Sequence, residues 1–85
     1  MTIDQILREV AEKYSEHGVT VIELKSKCRT KPLTTARFEA YWRCRQETRH
    51  SLPTIGRHIG FRDHTTILYG VRKHEERMKE ESEGC

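Results

Sequence analysis

Residues 51–68 read SLPTIGRHIGFRDHTTIL. Ser51 is a good helix N-cap, and Pro53 falls in the first turn, where its missing N–H costs nothing. Ile55 and Ile59 are four apart and share a helical face. Gly60 then stops the helix after about two turns. Asp63 opens a second helix, its carboxylate able to accept from N–H groups near Thr65 or Thr66. Ile67, Leu68, Val71 and Met78 follow at helical spacing as a buried stripe. Two helices joined across a tight glycine-containing turn are a helix-turn-helix, predicted over about residues 52–80.

The rest of the chain also reads as helix. Thr2-Ile3-Asp4-Gln5 is a capping-box pattern, followed by an apolar stripe of Ile3, Ile6, Leu7, Val10, Ala11 and Tyr14, with Gly18 as the stop. Thr20-Val21-Ile22-Glu23 is a second capping box, opening a short helix with Val21 and Leu24 inward. Residues 25–33 lack apolar periodicity, contain Lys31-Pro32 and read as a basic loop. Thr34 or Thr35 caps a long helix to about Thr48, with Ala36, Ala40, Tyr41 and Cys44 inward, its arginines outside and Trp42 at its edge. The tail, residues 82–85, is expected to fray. No run of alternating β-branched residues is present, so the predicted fold is all-α, a bundle of five to six helices in one domain spanning residues 1–85.

Eighty-five residues are fewer than the roughly 100–150 of a typical domain. No stretch approaches the roughly 20 apolar residues of a membrane span, and no apolar run near the N-terminus suggests a secretory signal. No G-x-x-x-x-G-K-[ST] loop is present, so no nucleotide partner, cofactor or catalytic role is expected. Three widely spaced cysteines (Cys28, Cys44, Cys85) make a poor disulfide framework and suit a reducing, cytoplasmic compartment. The five histidines do not match a zinc spacing, so no metal is expected.

The net charge of +3 conceals a segregation. Residues 1–24 carry two basic and five acidic side chains, and residues 75–85 carry the same counts. Between them, residues 25–74 carry twelve basic and three acidic side chains. Solubility alone would intersperse acids in that block; a +9 stretch instead favours a polyanion, whose bound counterions it releases. The polar tip of the second helix fits such a partner. Asp63 can accept from cytosine N4, Thr65 and Thr66 can bond a base or touch a thymine methyl, and His64 can do either. The plainer reading of that tip, an exposed polar first turn in an ordinary helical hairpin, stands beside it.

These residues carry a resemblance. The run Gly60-Phe61-Arg62-Asp63-His64-Thr65-Thr66-Ile67 is similar to the G-x-R-D-H-T-T-[VI] signature of the C-terminal DNA-binding domain of the bacterial replication initiator DnaA. Upstream, Glu23-Leu24-Lys25-Ser26-Lys27-Cys28-Arg29-Thr30 resembles that family's D-L-x-S-K-x-R-[ST] loop, and Arg72-Lys73 matches an R-K pair. The resemblance implies sequence-specific binding of double-stranded DNA at a DnaA-box-like site, by a monomer, in the cytoplasm on the nucleoid. It implies a role in replication initiation or transcriptional regulation.

By position, the resemblance puts Asp63, His64, Thr65 and Thr66 on base edges in the major groove. It puts Arg29 in the minor groove and Arg37 on a guanine. Lys27, Ser51, Pro53, Thr54 and Lys73 fall where the family grips phosphates. Arg62 is open to two roles, phosphate contact or an intramolecular pair. Tyr41, Trp42 and Tyr69 read as core or core-edge side chains. Two departures stand out: Phe38 replaces a frequent glutamine after the helix-start arginine, and Cys28 replaces a frequent basic residue. Phe38 cannot make the bidentate adenine contact of a glutamine, so the preferred site is expected to differ there. The chain reads as a stand-alone protein or an excised domain of that family; as a stand-alone protein, without the family's ATP-binding module, it would occupy sites and not melt an origin. A protein-interaction adaptor reusing the fold, with no sequence-specific DNA binding, is the alternative reading.

Overall fold

In a computed structural model of the chain, which describes residues 2–83 and side chains as far as residue 80, five α-helices pack around one apolar core. They are α1 (Ile3–Lys13), α2 (Val21–Leu24), α3 (Lys31–Glu47), α4 (Leu52–His58) and α5 (His64–Glu83). A short 3-10 turn, Ser15–His17, extends α1 and closes at Gly18 in the left-handed conformation. No strand occurs among the described residues. The expected all-α helix-turn-helix bundle is the fold observed.

Helix starts follow the local chemistry. The Thr2 hydroxyl accepts from the Gln5 N–H at 3.2 Å, and the Gln5 side chain accepts from the Thr2 N–H at 2.9 Å, a complete capping box. Thr20 caps α2 by accepting from Glu23 N–H. Ser51 caps α4 by accepting from Thr54 N–H, with Pro53 in the first turn.

The start of α3 differs from expectation. It begins at Lys31, not at Thr34 or Thr35, and Pro32 sits in its first turn. Lys31-Pro32 is therefore a helix start: proline's fixed φ suits the first turn, whose N–H groups have no intrahelical partner. The basic loop is correspondingly shorter, ending at Thr30.

α3 and α5 form the principal interface, with α1 across α3 and α4 against α5. The core contains Ile3, Ile6, Leu7 and Val10 from α1, Leu33, Ala36, Ala40, Tyr41 and Cys44 from α3, Ile55 and Ile59 around α4, and Ile67 and Val71 from α5. The expected inward face of α3 is thus observed, with one correction. Arg37, expected outside with the other arginines, is only 5% exposed. The acid on α3, Glu39, is buried too, and accepts from Lys13 Nζ at 2.9 and 3.0 Å and from the Tyr14 hydroxyl at 3.0 Å. These bonds satisfy a carboxylate that burial would otherwise penalise and pin the end of α1 to α3. At the surface of the same interface, Arg43 links Glu9 at 3.0 Å and Glu47 at 2.6 Å.

Of the tail, Ser82 and Glu83 fall within the bounds of α5. Gly84 and Cys85 lie outside the described residues. No helix of the described residues is long and apolar enough to cross a membrane.

Candidate nucleic-acid interface

The α4–α5 turn is built by close backbone contacts. The Arg62 N–H donates to the Gly56 carbonyl at 2.8 Å. A Cβ on Gly56 would lie 2.0 Å from the Arg62 carbonyl oxygen, so only glycine lets the turn fold onto α4. Gly60 has φ +79°, and a Cβ there would meet the Lys25 carbonyl oxygen at 2.5 Å. The turn is therefore seated directly against the basic loop, and the position of α5 is set relative to residues far away in sequence.

The first turn of α5 projects outward. Asp63, His64, Thr65 and Thr66 are all exposed. The Asp63 backbone carbonyl accepts the first helical N–H groups, from Thr66 at 3.1 Å and Ile67 at 3.2 Å. Its carboxylate accepts from the Thr65 hydroxyl at 2.8 Å and lies 3.0 Å from His64 Nδ1. The Thr65 hydrogen bond, then the neighbouring His64, holds the Asp63 carboxyl below the usual carboxylate range. The carboxylate is thus an ionised acceptor at neutral pH, aimed into solvent beside two threonine hydroxyls.

The basic loop lies next to this turn. Lys27, Arg29 and Thr66 line one open groove of about 560 Å³, whose floor includes Phe38, Tyr41 and Tyr69. Lys27 and Arg29 are exposed. Arg37 departs from its expected place at a base edge. Its Nε donates to the Leu24 carbonyl at 3.0 Å, its Nη2 to the carbonyls of Glu23 at 2.8 Å and Ser26 at 2.5 Å, and its Nη1 to that of Cys28. The physical reason is the shape of the loop. Carbonyls of the last turn of α2 and of the loop after it converge on one point, and a guanidinium is the side chain with enough donors to reach all four. Burial, then the neighbouring Arg62, lowers the Arg37 pKa.

Arg62 makes a bond within the chain. Its Nη2 donates to the Ser26 carbonyl at 2.5 Å, a bond to the basic loop across 36 positions of sequence. Two arginines, one from α3 and one from the turn, therefore converge on the same loop carbonyl.

Around the start of α4, Ser51 and Pro53 are exposed and Thr54 is half-buried. The Ser51 and Thr54 hydroxyls lie 3.0 Å apart. Pro53, Asp63 and His64 share a second hollow, so the start of α4 and the start of α5 open onto one surface. Farther along α5, Lys73 is exposed, 5.5 Å from the Tyr69 ring centroid and 3.6 Å from Glu76 Oε2.

Tyr69 itself is a correction. Expected at the core or its edge, it is 56% exposed and packs edge-on against Phe38 at 5.9 Å. It falls one turn on from Thr66, off the Ile67–Val71 stripe, and that spacing is the sequence signal for its outward face. Tyr41, by contrast, is buried as expected, and Trp42 is half-buried against His74 at 5.2 Å. Among the described residues no group of three or more His, Cys, Asp or Glu side chains is placed to hold a metal ion.

Residues 3–73 match the family model described as the bacterial dnaA protein helix-turn-helix. The chain is also similar to the chromosomal replication initiator protein DnaA of several bacteria. It is 43% identical to that of Jannaschia sp. (strain CCS1) over 98% of this chain and 17% of the relative. It is 41% identical to that of Cereibacter sphaeroides (strain ATCC 17029) over 98% of this chain and 18% of the relative. It is 42% identical to that of Treponema denticola over 92% of this chain and 16% of the relative. The chain thus spans under a fifth of the length of these relatives.

Proposed function

The chain belongs to the bacterial DnaA helix-turn-helix family, and from that premise we propose that it binds double-stranded DNA sequence-specifically, at a DnaA-box-like site, as a monomer. The observation that carries this reading is the juxtaposition of Thr66, in the exposed polar turn of α5, with Lys27 and Arg29 of the basic loop around one groove.

In this reading α5 enters the major groove by its first turn. Asp63 accepts from a cytosine amino group, and His64, Thr65 and Thr66 contact neighbouring base edges. Arg29 reaches the adjacent minor groove, where a narrow A·T-rich stretch concentrates negative potential. Lys27, Ser51, Pro53, Thr54 and Lys73 grip or position phosphates. Arg37 acts indirectly: it holds the loop that carries Lys27 and Arg29. Arg62 acts in the same way, tying that loop to the turn before α5.

The process served is occupancy of origin or promoter sites in replication initiation or transcriptional control, in the cytoplasm on the nucleoid. The domain contributes binding and no catalysis, and it needs no nucleotide. Selection of bound sequences from a random duplex pool, repeated across salt concentrations, tests the reading. The expected result is one asymmetric consensus, with log affinity falling about 0.9 per log salt for each phosphate contact. Failure to retain any duplex at low salt would refute it in favour of a protein-interaction adaptor.

A further inference from the structure

Phe61 is the most exposed of the large apolar side chains, at 88%, and it has φ +56°. Left-handed φ is a genuine outlier for a bulky side chain, because Cβ crowds the following carbonyl. Such strain persists only where the surroundings over-determine the backbone. Here they do: Gly60 on one side is pressed on Lys25, and Arg62 on the other is bonded to Gly56. The turn therefore demands a left-handed residue at position 61, for which glycine or asparagine is the unstrained solution. A phenylalanine there gains no core packing in return.

The ring is not isolated on the surface. Phe61 lines a hollow of about 370 Å³ together with Pro53, Arg57, Asp63 and His64. That hollow opens between the start of α4 and the start of α5. It is continuous with the surface assigned above to phosphates and bases. A lone apolar ring among polar base-reading groups matches one chemical feature of the major groove, the thymine 5-methyl group.

We infer that Phe61 is a specificity-determining residue that reads the 5-methyl group of a thymine at the edge of the α5 contact. The inference rests on the DNA-binding reading above. It adds a contact outside the four residues of the first turn, made at the expense of stability in the free domain.

A cycle of protein and base changes tests it. The selected duplex is remade with each thymine replaced singly by deoxyuridine, which removes only the methyl group. Each duplex is titrated against the wild-type chain, Phe61→Asn and Thr65→Ala. The expected result is one thymine whose replacement weakens wild-type binding about fourfold, the worth of one buried methyl group, and leaves Phe61→Asn unaffected. The Phe61→Asn chain should also melt several degrees higher, since a relief of 1 kcal/mol shifts the midpoint by about 4–8 °C in a domain of this size. A set of thymines whose replacement affects wild type and Phe61→Asn equally would overturn the inference. If Thr65→Ala still loses discrimination in that case, the DNA-binding reading stands without it; a wild-type chain that selects no duplex overturns both.

Discussion

The Arg37 guanidinium donates to the Ser26 carbonyl at 2.5 Å, so a side chain buried in the long helix holds the loop that carries the exposed Arg29. A residue that sequence comparison places at a base edge thus shapes the surface from beneath it. The distinction matters for how a mutation there is read.

Arg37→Ala should destabilise the domain by about 1–3 kcal/mol, since hydrogen bonds from a charged donor to several buried carbonyls are lost together. Thermal denaturation checks this. Its loss in DNA affinity should arise through the loop: Arg29→Ala should cost less in the Arg37→Ala background than in wild type. Additive losses would mean that the two arginines act separately.

Gly56→Ala should be among the most damaging small substitutions in the chain. The added Cβ would lie 2.0 Å from the Arg62 carbonyl oxygen, which is backbone and cannot move without opening the turn. A cost of about 2–4 kcal/mol is expected, read as a lowered denaturation midpoint. A midpoint equal to wild type would contradict the close seating of the turn on α4.

Thr65→Ala and Lys73→Ala should separate base reading from phosphate gripping. Thr65→Ala should cost about 1–3 kcal/mol on the selected duplex and far less on random duplex. Lys73→Ala should weaken both alike and reduce the salt slope by about one. Equal losses on both duplexes for Thr65→Ala would remove it from the base-reading set.

Alkaline pH should loosen the core through Cys44. Burial pushes its thiol from 9.0 up to about 12. The unfolded chain therefore loses the proton near pH 9 while the folded chain keeps it, so stability falls as pH rises between those values, by up to about 1.4 kcal/mol per unit. The buried Tyr41 hydroxyl, raised chiefly by burial, acts in the same direction at higher pH. Denaturant melts from pH 8 to 11 should show the decline, and Cys44→Ala should reduce it. At pH 8 a thiol reagent should modify exposed Cys28 and spare Cys44 until denaturant is added.

Most helix boundaries were legible because their causes lie within four residues. Thr2 with Gln5 and Ser51 with Pro53 act on neighbouring backbone groups, and those helices begin where such signals stand, whereas α1 ends at Lys13 and Gly18 closes the 3-10 turn after it. Lys31-Pro32, expected in the loop, starts α3 instead: proline can end one segment or start the next, and here Leu33 just after it packs into the core. The apolar stripe of α1 and the inward face of α3 followed from periodicity alone.

By itself the sequence determined the helical class, the helix-turn-helix and the +9 block between residues 25 and 74, since caps, spacing and charge are local or additive properties. Only the tertiary structure decided that Arg37 turns inward, that Arg62 joins it on Ser26 and that Phe61 stays in solvent. Each of those outcomes depends on which segments meet across eleven to thirty-six positions. An arginine's five donors look the same in the sequence whether phosphates or buried carbonyls finally accept them. Which of the two it meets is settled by where the chain folds back.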